Sequence, residues 1–129
     1  MDLTKISALV LVFGLGFAIL FELAVVLGAP LGDFTAGGKY PGRLPAKARA
    51  FRFFYIGGWS LLLGHYLAQT GVLTPLLDSS LNQVVNWILA SAIALGIYAN
   101  SRSLAKKERA LWMPLSLVML VCALLVALQ

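Results

Sequence analysis

Charge is scarce in this sequence. Asp and Glu number 5 and Lys and Arg 10 among 129 residues, so 12% are charged while 60% are hydrophobic. Soluble domains usually carry about 25% charged residues. A chain this short has too high a surface-to-volume ratio to hide so much apolar surface from water. A water-soluble globule is therefore excluded, and lipid is the expected solvent. Cysteine is almost absent too. Cys122 stands alone, which rules out an intramolecular disulfide and any Cys-x-x-Cys redox or zinc pattern. It reads as a small apolar residue in a helix. One histidine, His65, one distant cysteine and Glu22 at another membrane depth do not make a ligand set, so neither a metal nor a cofactor is expected. Gly-x-Ser-x-Gly, His-Glu-x-x-His and dinucleotide fingerprints are missing as well, and no catalytic residue can be assigned.

What remains is apolar sequence in four runs, at about 6–28, 53–71, 81–100 and 110–128. Each is near the ~20 residues that cross a ~30 Å hydrocarbon core. Long continuous runs are helices, because a membrane barrel needs many alternating ten-residue segments. The expected fold is all-α: a single integral membrane domain over 1–129, built as a four-transmembrane-helix bundle. The first run is too long for a secretory signal, and Val26-Leu27-Gly28 is a poor cleavage site, so it is expected to stay as a span.

The basic residues orient the bundle. Lys39, Arg43, Lys47, Arg49 and Arg52 lie between the first and second runs, and Arg102, Lys106, Lys107 and Arg109 between the third and fourth. The second connection holds Asp78 and no base. Short loops rich in Lys and Arg stay in the cytoplasm. Two basic cytoplasmic loops with both termini outside are therefore expected, in a multi-pass protein of the cell (inner) membrane. The formal charge of +5 follows from this topology and needs no nucleic-acid partner. Anionic inner-leaflet lipids are the partners it implies.

Small residues recur at helical spacing: Gly57, Ser60, Gly64 and Ala68, then Gly14 and Ala18, then Ala92 and Gly96. Such residues let helices approach closely in lipid, within one chain or across a homodimer, and packing within the chain is the preferred reading. Pro114 is placed in the first turn of the fourth helix, where a missing amide donor costs little. Trp112, Tyr55 and Trp59 suit the membrane interface.

The connection at 29–50 is expected to be a structured loop. Pro30, Pro41 and Pro45 with Gly32, Gly37, Gly38 and Gly42 block a continuous helix and favour turns, while Phe34, Tyr40 and Leu44 can anchor it to the bundle. Gly37-Gly38-Lys39 is not a P-loop, since Asp33 holds the first glycine position and Tyr40 follows the lysine. The amides of Gly37 and Gly38 beside Lys39 and Arg43 can still form a small anion nest for a phosphate or lipid headgroup. The run Gly28-Ala29-Pro30-Leu31-Gly32, then Gly37-Gly38-Lys39-Tyr40-Pro41-Gly42, Leu44-Pro45 and Arg49 resembles the first loop of small bacterial four-helix membrane proteins of unknown function. Asn100-Ser101-Arg102-Ser103, Glu108-Arg109 and Trp112-x-Pro114 are similar to their second loop. The resemblance implies the four-helix architecture and no activity.

Glu22 lies inside the first run, roughly 9 Å from its cytoplasmic end at ~1.5 Å per residue. A carboxylate in lipid must be paired, protonated or facing water. Arg49, Arg52 and Arg102 enter from the same side as candidate ion-pair partners. The alternative is a carboxylate that handles protons or cations. A second polar set comprises His65 and Gln69 on one face of the second helix and Asn82 and Asn86 on one face of the third. They are expected to meet and hydrogen-bond as interhelical glue, with a proton relay at His65 as the alternative. Two function classes follow. One is an accessory protein that docks a membrane-protein partner. The other is a small oligomeric transporter or channel using Glu22 and His65.

Overall fold

The computed structural model describes residues 2–129. It is all-helical, with four long helices: α1 (Leu3–Val26), α2 (Ala46–Thr70), α3 (Ser79–Ser101) and α4 (Lys106–Ala127). Two single 3₁₀ turns, Gly32–Phe34 and Ala36–Gly38, interrupt the first connection, and there is no strand among the described residues. α1, α3 and α4 are long and apolar enough to cross a membrane. α2 is as long, but Arg49, Arg52, His65 and Gln69 lie within it.

Local chemistry sets the helix ends. The Asp2 carboxylate accepts the Lys5 amide at 2.8 Å and that of Asp78 accepts the Leu81 amide at 2.8 Å, each satisfying an orphan donor of the first turn. α2 ends at Gly71, whose φ of 86° provides the left-handed cap.

Helices run further than the apolar stretches alone indicate. α2 begins at Ala46 rather than near 53, and α4 at Lys106 rather than near 110. Ala46, Lys47, Ala48, Arg49 and Ala50 are strong helix formers, and Pro45 sits just before them. The irregular connection is therefore 27–45, shorter than the expected 29–50. Pro114 is accordingly not in the first turn of α4 but in its interior, where the amide it lacks leaves the Ala110 carbonyl without its usual donor.

Neighbouring helices are antiparallel. Glu22 near the end of α1 meets Arg52 near the start of α2. Gln69 and Asn82 pair the end of α2 with the start of α3. The Gln83 side chain, early in α3, donates to the Ala127 carbonyl at the end of α4. The order around the bundle is α2, α1, α4, α3, with α1 packed on both α2 and α4. Buried Ala8, Leu11, Leu15, Ala18, Glu22 and Val25 alternate steps of three and four along α1, the pattern of a coiled-coil seam. Tyr66, Ala90, Met119, Cys122, Ala123 and Val126 close the core around it.

Large apolar side chains face outward on every helix: Phe13, Leu20, Phe54, Leu61, Leu95 and Val121 are all exposed. An exposed apolar surface on every helix suits lipid and not water. Gly14 does make the expected close approach, since an added Cβ would lie 2.8 Å from the Met119 sulfur. Gly57, Gly64 and Gly96 do not: a Cβ on any of them would meet nothing. Packing within the chain therefore accounts for the α1 glycine and not for those on α2 and α3.

Candidate functional site

Polar side chains inside the bundle form two clusters. The first is at the end that carries the 27–45 connection. The Arg52 Nε lies 3.5 Å from a Glu22 carboxylate oxygen, with both side chains more than nine-tenths buried. The Arg52 guanidinium also donates to the hydroxyl of buried Thr35. One arginine from α2 thus ties α1 to the connection. A buried charge left unpaired costs several kcal/mol, so a pair in this setting holds its elements together. Arg49 is one turn away and donates to the Val26 carbonyl at 3.4 Å. α1 has no base in its own last turn, and Arg49 supplies the cation that its negative end favours. Arg102 sits over the Tyr98 ring at 5.9 Å, and Arg52 is the one base within ion-pair distance of Glu22 among the described residues.

The 27–45 connection folds onto this end as a cap. Leu44 is buried with Phe21 and Val25, and Leu31, Phe34, Tyr40 and Trp112 pack around them. The Trp112 indole stands edge-on to Phe21 at 5.0 Å and donates to the Phe34 carbonyl at 2.8 Å. Gly32 is required where it is, because a Cβ there would fall 1.6 Å from the Tyr40 carbonyl oxygen. The Gly37 amide is already taken: it donates to the Glu108 carboxylate at 2.8 Å. The Gly38 and Lys39 amides close turns to Thr35 and Ala36. The anion in the glycine turn is thus a side chain of α4. Arg43 lies across Gly28 at the end of α1, and Lys39 extends over Tyr40. Asp33 pairs with Lys107 at 3.7 Å, so the two basic connections are clasped at one end of the bundle.

The second cluster lies between α2 and α3 toward the opposite end. Gln69 and Asn82 exchange two amide hydrogen bonds at 2.9 and 2.8 Å. Asn86, almost fully buried, turns its amide nitrogen toward the Gln69 oxygen at 3.4 Å. Its oxygen faces His65 Nε2, 2.7 Å away. Arg52 and His65 are separated by about 20 Å along α2 at ~1.5 Å per residue. Trp59 and Leu62 lie between them and pack against the apolar core.

Sequence spacing placed the second cluster's residues on facing sides of two joined helices and put Arg52 near Glu22. It carried no signal for Thr35, for the Trp112 bond to Phe34 or for the Glu108 bond to Gly37, which join residues 17 to 78 positions apart. Among the described residues, no group of His, Cys, Asp and Glu could hold a metal ion. No family model, curated protein or solved structure matches this chain.

Proposed function

We propose that this chain is a multi-pass accessory protein of the cell (inner) membrane, which docks another membrane protein. In this reading all four helices span the bilayer, both termini lie outside, and the two clasped basic connections face the cytoplasm, as the positive-inside rule directs. α2 crosses with its two arginines at the inner interface, one paired with Glu22 and one on the end of α1. The kinship implied by the loop residues, with small bacterial four-helix membrane proteins, belongs to the same proposal.

One observation carries the choice of accessory over transporter. Most polar side chains within the helices are committed to each other: Glu22 with Arg52, His65 with Asn86, and Gln69 with Asn82, while Arg52 also holds Thr35 and the buried Tyr66 hydroxyl stands without a partner among the described residues. Apolar residues of the core separate the two sets. A conducted ion or proton needs a chain of polar groups or water, and paired groups with an apolar layer between them do not supply one. The glycines of α2 and α3 that contact nothing leave backbone open to a neighbouring helix.

Native mass spectrometry of the protein extracted in mild detergent tests this. A defined complex with a second membrane protein is expected. Bulky replacements at Gly37 and Gly38 should leave the bundle intact and release that partner. A homo-oligomer holding a small ligand, with a proton- or cation-coupled flux that Glu22→Gln abolishes without unfolding, would replace docking by transport.

A further inference from the structure

We propose that the cleft between the two basic connections is a headgroup site for an anionic phospholipid. The cleft holds about 300 Å³ and is lined by Asp33, Gly37, Gly38, Lys106 and Lys107 together with Leu104 and Ala105. Two lysines against one aspartate give the lining a formal charge of +1. The acids nearby are already engaged. Asp33 faces Lys107, and Glu108, absent from the lining, is held by the Gly37 amide. Lys106 is exposed and has no acidic partner among the described residues. Asp33 and Lys107 offset each other, so the charge left to attract an anion to the cleft is that of Lys106.

The position selects a lipid as the source of that anion. The cleft opens at the start of α4, a helix apolar enough to cross a membrane, so its lysines sit at headgroup level. Leu104 lines the same cleft and is 91% exposed. A leucine held in water there gains nothing, whereas the glycerol and upper acyl chain of a lipid would cover it. A phosphate on Lys106, with Lys107 shared between it and Asp33, and apolar contact at Leu104 is the pattern of a phosphodiester attached to a diacylglycerol. Free phosphate offers the first contact and lacks the second. Close packing keeps the cleft's shape: an added Cβ on Gly38, at φ 74°, would lie 3.1 Å from the Ala105 side chain.

This site goes beyond the docking reading and rests on its placement of both basic connections at one membrane face. The test works on purified protein in detergent, so its failure leaves the partner experiment untouched. Native mass spectrometry with phosphatidylglycerol and phosphatidylcholine supplied together should show one retained phosphatidylglycerol and little phosphatidylcholine. Lys106→Gln with Lys107→Gln should lower that retention roughly thirtyfold, since each lysine near a lipid surface contributes about a fivefold factor. Both residues lie in the first turn of α4, where removing positive charge favours the helix, but Lys107→Gln also removes the pair with Asp33; Lys106→Gln alone leaves that pair in place and should lower retention roughly fivefold. Lys39→Gln with Lys47→Gln removes the same charge elsewhere and should retain the lipid. Equal retention of the two lipids, or equal loss in both double variants, would overturn the site. Displacement by inorganic phosphate alone would overturn the assignment to lipid.

Discussion

Arg52 reaches Glu22 on α1 and Thr35 in the connection with one side chain, at 3.5 Å from the carboxylate, in a place both residues share almost without solvent. The pair joins two helices and the cap at one point. It also lets a helix with two arginines pack within an apolar bundle. Removing either partner should therefore cost far more than replacing both.

Arg52→Ala should lower stability by about 3–5 kcal/mol, because it strands the Glu22 carboxylate and frees Thr35. Glu22→Leu combined with Arg52→Leu should recover most of that loss. Thermal unfolding of Glu22→Leu, Arg52→Leu and the double variant in detergent gives the coupling directly. Additive effects would show that the pair is not a unit.

Gly32→Ala tests the cap separately from the helices. The new methyl group would collide with the Tyr40 carbonyl at the position now 1.6 Å away. The cap should open while the four helices persist, since their core lies elsewhere. Limited proteolysis should cut within 27–45 much faster than in the parent protein, with little change in helical circular dichroism.

Gln69 is the centre of the second cluster, as it serves both Asn82 and Asn86. Gln69→Leu should cost about 1–2 kcal/mol, the upper part of the range measured for interhelical hydrogen bonds in membranes. Asn82→Leu in that background should cost little more. A double-mutant cycle on unfolding free energies checks this, and a coupling near zero would count against a cooperative cluster.

Sidedness can be read chemically. Cys122 is buried, so a cysteine placed elsewhere is the reactive one. Leu76→Cys, at a site 97% exposed in the α2–α3 connection, should react with an impermeant maleimide on intact cells. Leu104→Cys should react only after permeabilisation. The reverse pattern would invert the proposed orientation.

Composition and apolar run length were enough to specify a helical chain with segments suited to lipid, because helices are the way an isolated apolar run satisfies its own backbone there. Spacing alone also put His65 and Gln69 on one helix face and Asn82 and Asn86 on another, since a period of 3.6 residues brings positions four apart together. The helix starts were less legible. The expected loop spans 29–50, yet Ala46–Ala50 are helical: they are good helix formers, and Glu22, Thr35 and the Val26 carbonyl receive the guanidinium groups of Arg52 and Arg49. Partners for a buried charge come from other elements, and no local pattern announces them. The glycines divide in the same way: Gly14 and Gly64 look alike in sequence, and only the packed bundle sets Met119 against one and leaves the other open. Likewise the amides of Gly37 and Gly38 suggested room for an outside anion. Only the folded chain, by bringing α4 alongside, put Glu108 on the Gly37 amide and left the neighbouring cleft lined by Lys106 and Lys107.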